Sequence, residues 1–140
     1  MKKVFVAAVI ALTTLLYSCE RTPIDAPEQT FNVTLNQCAN RVFSGKPVSI
    51  CFDSLLTDSR CPVNAMCVWR GFAAGKFSLT AEGETYPFNL SEFPVAPIYS
   101  KDTVIAGYKI EFIDLEPYPG TMPHPVPANK IKAKMKITKQ

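Results

Sequence analysis

Residues 130–138 read Lys130-Ile131-Lys132-Ala133-Lys134-Met135-Lys136-Ile137-Thr138. Apolar and charged side chains alternate without a break. Successive side chains of a strand point to opposite faces, so Ile131, Ala133, Met135 and Ile137 face a core and the four lysines face water. A helix would scatter both sets around its axis. The lysines suit an edge strand, where they discourage pairing with other molecules. Binding of anionic lipid or glycan is the competing use.

The same period of two recurs upstream. Tyr108, Ile110 and Phe112, with Val104 before them, predict one longer strand with Gly107 at a bulge. Phe77, Leu79 and Ala81 predict another, and Gly83 turns it into Thr85–Leu90. Val48, Ile50 and Phe52 follow a Ser44-Gly45-Lys46-Pro47 turn, and Phe31, Val33 and Leu35 begin the series. Residues 91–100 hold two prolines and read as a loop. Glu116–Pro127 carries five prolines in twelve residues and must cross irregularly. No window sustains a helical period; at most a turn fits at Leu55–Leu56 or Ser91–Phe93. The expected fold is all-β: a small disulfide-braced β-sandwich or partly open barrel of six to eight short strands.

The N-terminus reads differently. Lys2 and Lys3 precede a nearly unbroken apolar run from Val4 to Leu16, which has signal-peptide length and is too short to span a bilayer. It ends in Leu16-Tyr17-Ser18-Cys19. This resembles the bacterial lipobox, with Tyr17 bulkier than the usual occupant. The resemblance implies cleavage after residue 18 and lipidation of Cys19. Residues 1–18 are then a lipoprotein signal peptide, 19–30 the lipidated Cys and a flexible tether, and 31–140 a single β domain. Position 20 is Glu; an Asp there would resemble the inner-membrane retention signal of some double-membrane bacteria. The outer membrane is the expected location, with the side it faces left open.

The 140 residues carry a formal charge of +3, and loss of Lys2 and Lys3 brings the mature chain close to neutral. Such a balance does not support nucleic-acid binding. One His excludes His-pair metal sites within the chain.

Four cysteines besides Cys19 remain: Cys38, Cys51, Cys61 and Cys67. An even number in an oxidising envelope reads as two disulfides, with three connectivities open. A Cys61–Cys67 bridge is favoured by the short segment between them and leaves Cys38 for Cys51. The spacings lack the close Cys-x2–4-Cys pairs of structural zinc.

Residues 58–71 read Asp58-Ser59-Arg60-Cys61-Pro62-Val63-Asn64-Ala65-Met66-Cys67-Val68-Trp69-Arg70-Gly71. The segment resembles a motif of small uncharacterised secreted bacterial proteins and lipoproteins: Asp-Ser-Arg-Cys-Pro, four residues, Cys, an apolar residue, Trp, any residue, Gly. Arg70 stands where a small residue is common. The resemblance implies an all-β domain and a Cys61–Cys67 bridge, and no activity. Read physically, the segment is a structural knot, with Trp69 buried at the start of a strand and Asp58 paired with Arg60 or capping backbone. Read functionally, it is a braced binding loop presenting Arg60, Asn64, Met66 and Trp69. A protease-inhibitor loop is a remoter version of the same idea.

Catalytic chemistry is thin. His124, in Met122-Pro123-His124-Pro125, has no orienting acid beside it and only Met122 as a soft co-ligand. Asp53 and Asp58 read as turn or cap residues rather than an acid–base pair. No phosphate-cradling glycine loop or zinc-helix motif occurs. Asp53-Ser54-Leu55 and Asp102-Thr103-Val104 resemble short O-glycosylation acceptors of some gut bacteria. The sequence therefore points to a non-catalytic, membrane-anchored binding or structural lipoprotein without cofactor or metal. Its partners would be the membrane, through the lipid, and a protein or glycan of the envelope. A binding module would expose an aromatic patch, for which Tyr86, Tyr99, Tyr108 and Tyr118 are candidates. An outer-membrane assembly subunit would keep a constant partner. An enzyme would need a concave pocket holding His124 or a close carboxylate pair.

Overall fold

A computed structural model of the chain describes residues 27–140. The expected signal peptide, Cys19 and the tether up to residue 26 lie outside the described residues. Eight strands form: β1 (Glu28–Thr34), β2 (Gln37–Phe43), β3 (Lys46–Asp58), β4 (Ala73–Ala81), β5 (Glu84–Ser91), β6 (Asp102–Ile105), β7 (Tyr108–Glu116) and β8 (Lys132–Lys139). They make two antiparallel four-stranded sheets, ordered β1-β8-β7-β6 and β2-β3-β4-β5. The fold is thus an all-β, disulfide-braced two-sheet sandwich. Among the described residues, the helical content is one 3₁₀ turn at Ala128–Lys130. Leu55 and Leu56, where at most a helical turn fitted the sequence, lie inside β3, and Ser91 ends β5.

Several strands differ from the sequence expectation. β1 starts at Glu28, three residues before Phe31, and pairs with β8 from there. β2 was not expected. It is an edge strand in which Phe43 is buried and Ala39 and Arg41 are half-buried. Arg41 caps the Phe31 ring at 4.2 Å, so its stem takes a place where an apolar residue would have marked the strand. Gly107 is not a bulge. Ala106 and Gly107 both have positive φ and form a two-residue turn between β6 and β7. Ser44-Gly45 and Glu82-Gly83 do the same for β2–β3 and β4–β5. Two positive φ values match the twist of the flanking strands, and glycine takes the second without strain.

β8 is a central strand, not an edge. Ala133, Met135 and Ile137 are fully buried. The lysines face acids in register on β7: Lys132 opposite Glu116, Lys134 opposite Asp114 and Lys136 opposite Glu111. Lys136 also pairs with Glu28 of β1 at 3.0 Å. Glu111 is ion-paired with Lys101 and Asp114 with Arg60, so the ladder sets opposite charges across from one another and closes one lysine pair, Lys136–Glu28, and the lysines of this central strand are not edge protection.

The two sheets bury one core. Phe52 stacks on Phe77 at 4.8 Å, and Phe77 meets Phe112 of the opposite sheet edge-on at 5.4 Å. Gly75 makes room for this cluster, since a Cβ there would come within 2.8 Å of both the Phe52 and Phe77 rings. Tyr108 is buried against Phe43, so the four tyrosines form no common surface patch.

The ends of the sandwich differ. At one, the chain enters at Pro27, whose carbonyl accepts the Lys139 N–H, and Gln140 bonds to Gly107. The Ser44-Gly45 and Glu82-Gly83 turns lie there too, joined by the Lys46–Glu82 ion pair. At the other end emerge three long connections, residues 59–72, 92–101 and 117–131.

Candidate functional site at the loop end

The motif segment is the β3–β4 connection. Asp58 and Ala73 form the last pair of the ladder. Beyond them Ser59 N–H donates to the Phe72 carbonyl at 2.9 Å, and the Ser59 hydroxyl accepts from Phe72 N–H at 3.1 Å. Gly71 lies so close that a Cβ there would sit 1.6 Å from the Ser59 carbonyl oxygen. The loop therefore leaves the sandwich through a closed neck.

Arg60 anchors that neck. Its side chain is buried, contrary to the expectation that it tops the loop. Nε and one terminal nitrogen each donate to Asp58 at 2.8 Å, a two-point grip that a planar guanidinium fits. The remaining donors reach the Leu115 carbonyl and, at 3.1 Å, the Pro117 carbonyl. Asp58 ends β3 in one sheet and Leu115 lies on β7 in the other, so Arg60 ties the sheets together. Burial disfavours its charge, but the hydrogen bond and charge of Asp58, with the charges of Glu92 and Asp114, outweigh burial and hold its pKa above the ordinary value.

Glu92 is the second buried charge of the region. Its N–H donates to the Ala73 carbonyl and its carboxylate accepts the Ala73 N–H. Burial pushes its pKa above the usual carboxylate range, against the opposing pull of Arg60 and of that N–H. No pattern around Ser91-Glu92-Phe93 announced this in the sequence.

Cys61 and Cys67 are bridged, as are Cys38 and Cys51, which face each other across β2 and β3. The bridged loop is also held by Val63 N–H on the Pro119 carbonyl at 3.1 Å. What it presents is apolar. Met66 and Val68 are fully or almost fully exposed, Val63 is 62% exposed and Trp69 is 70% exposed. Trp69 is therefore not the buried strand anchor expected from the sequence. Asn64 is exposed and lies against Gly120. Arg70 stacks over Phe93 at 3.4 Å. Of the expected binding set, Asn64, Met66 and Trp69 are on the surface, and Arg60 is in the frame beneath them. Val63 and Val68 join the surface; their signal was two apolar residues in a proline- and cysteine-bearing loop.

A cavity of about 390 Å³ opens beside this loop. It is lined by Leu55, Glu116, Tyr118, Met122, His124 and Ile131, among others. His124 thus does line a concave pocket, the feature an enzyme would need. It is exposed there, and no carboxylate is hydrogen-bonded to it among the described residues. Among the described residues no three His, Cys, Asp or Glu side chains cluster as metal ligands. Asp53 bonds Ser78 while Asp58 holds Arg60, so the two acids serve different partners. Ser54 sits at a register shift in β3, and Thr103 lies on the short strand β6.

Comparison with family models, with curated proteins and with solved structures returns no match.

Proposed function

We propose that the chain is an outer-membrane lipoprotein, anchored through Cys19, whose loop end is a non-catalytic docking surface for a protein partner. We place it with the small secreted proteins that carry the Asp58–Gly71 motif. The observation that carries the reading is the exposure of Trp69 beside Met66 and Val68 on a loop whose base is fixed. Apolar side chains on a slack loop would fold back onto the sandwich. Here the neck, the Arg60 clamp and the Cys61–Cys67 bridge oppose that. A preorganised loop loses little entropy on binding, and Trp and Met are favoured in interface cores.

The partner is taken to be a protein rather than the anchoring membrane because of the molecule's polarity. The chain enters at Glu28, at the end opposite the loops. A lipid on Cys19 then attaches the domain through its hairpin end, opposite the loops, and leaves the loops accessible to a partner.

The test is cross-linking of the full-length lipoprotein in its own cells, in parallel with Trp69→Ala and Cys19→Ala. The expected result is one stoichiometric protein that Trp69→Ala loses while still reaching the membrane. Retention of that partner by Trp69→Ala and by Met66→Ala would refute the reading.

A further inference from the structure

We infer that the cavity between the disulfide loop and the proline-rich crossing receives a basic side chain of the partner, with Glu116 as its counter-charge. The inference deepens the docking reading and rests on it, since it names the chemistry of the same end. The lining is poor in hydrogen-bond donors. Pro62, Pro117, Pro119 and Pro125 all border the cavity, and proline brings no N–H. Arg60 also borders it, but its donors are committed to Asp58, Leu115 and Pro117. Tyr118 and His124 are the side-chain donors left free in the lining, but no lysine and no unpaired arginine stands there, and the unpaired Glu116 carboxylate would repel an anionic ligand.

A cation with an apolar stem fits each of these features. Leu55, Val126 and Ile131 supply apolar wall for the methylenes. Glu116 is exposed and makes no ion pair among the described residues, although Lys132 stands opposite it in the ladder. No lysine lines the cavity. The ligand class is therefore an alkylammonium or guanidinium on an extended segment, as a Lys or Arg side chain provides, and the volume of about 390 Å³ holds one such side chain.

The experiment titrates the full chain in detergent with Nα-acetyl-lysine methylamide, its neutral counterpart Nα-acetyl-norleucine methylamide, and Nα-acetyl-glutamate methylamide, reading amide NMR shifts over residues 116–131. The lysine probe should bind about threefold more tightly than norleucine, the size expected of a partly exposed ion pair. The preference should shrink with added salt and vanish in Glu116→Gln. Equal or tighter binding of norleucine, binding of the glutamate probe, no binding of any probe, or a lysine preference that survives Glu116→Gln would each overturn the inference. The docking reading is scored separately, by loss of the partner in Trp69→Ala, so either can fail alone.

Discussion

Arg60 and Leu115 lie 55 residues apart, yet the guanidinium of one donates to the carbonyl of the other across the two sheets. The same guanidinium is gripped at two points by Asp58, only two residues away. A local pair is thereby turned into a long-range clamp. Removing one partner of a buried charge pair leaves the other uncompensated, so Arg60→Ala should cost about 3–5 kcal/mol in urea unfolding. Arg60→Lys keeps the charge but not the fork, and should recover only part of that loss.

The two glycines Gly71 and Gly107 are needed for different reasons, and alanine should separate them. At Gly107 the penalty is a positive φ in open space, and Gly107→Ala should cost about 1 kcal/mol. At Gly71 an added Cβ collides with backbone at 1.6 Å, which no rotamer change relieves. Gly71→Ala must reopen the neck. Denaturant midpoints should show the larger fall for Gly71→Ala, and amide exchange at Phe72 should rise in that variant alone.

The two bridges should also separate. Cys38–Cys51 closes a 13-residue separation and Cys61–Cys67 one of 6. Loop-closure entropy then assigns about 3 kcal/mol to the first and about 2 kcal/mol to the second. Double alanine replacement of each pair, followed by urea unfolding, should reproduce that order. Partner capture should follow the opposite order, because only the Cys61–Cys67 bridge braces the exposed tip.

What the sequence made legible was what alternation encodes. β8 reads clearly because Ala133, Met135 and Ile137 fill one face and lysines the other. β2 was lost because an arginine, Arg41, half-buries its stem over Phe31 where a hydrophobe would have marked the period. The β6–β7 turn was misread because nothing about Ala106 advertises a positive φ. At the site, Asp58 and Arg60 pair as their spacing suggested. The burial of Arg60 was illegible, since Leu115 and Pro117 are supplied by a distant strand and its following loop. Trp69 misled for the converse reason: large apolar residues are usually covered, and this one stands exposed on a loop held by the closed neck, the Arg60 clamp and the Cys61–Cys67 bridge.

Glu92 makes stability depend on pH in an unusual direction. Burial raises its pKa in the folded chain above the unfolded value of 4.5. Between those two values the folded state binds more protons than the unfolded state, so this group's contribution falls as pH rises. Its contribution is most favourable below pH 4.5 and is progressively lost as pH climbs through the folded pKa. Glu92→Gln keeps an acceptor for the Ala73 N–H and removes the ionisation. The variant should therefore gain Tm relative to the parent at pH 7 and lose that advantage below pH 4.5. A parent and variant with parallel Tm curves between those limits would show that Glu92 titrates normally.

Trp69 is the one tryptophan of the chain, so intrinsic indole emission reports the β3–β4 loop and nothing else. With Trp69 70% exposed, the folded protein should emit as a solvated indole and be quenched freely by acrylamide. Unfolding in urea should barely move the emission maximum, while circular dichroism reports loss of the sheets. Trp69→Ala should leave the urea midpoint within about 0.5 kcal/mol of the parent, as expected of an exposed residue. A partner covering the loop should shift emission to the blue and protect it from acrylamide. A blue-emitting, protected tryptophan in the isolated protein would instead mean that Trp69 is already covered, and the docking surface would have to be sought elsewhere on the loop end.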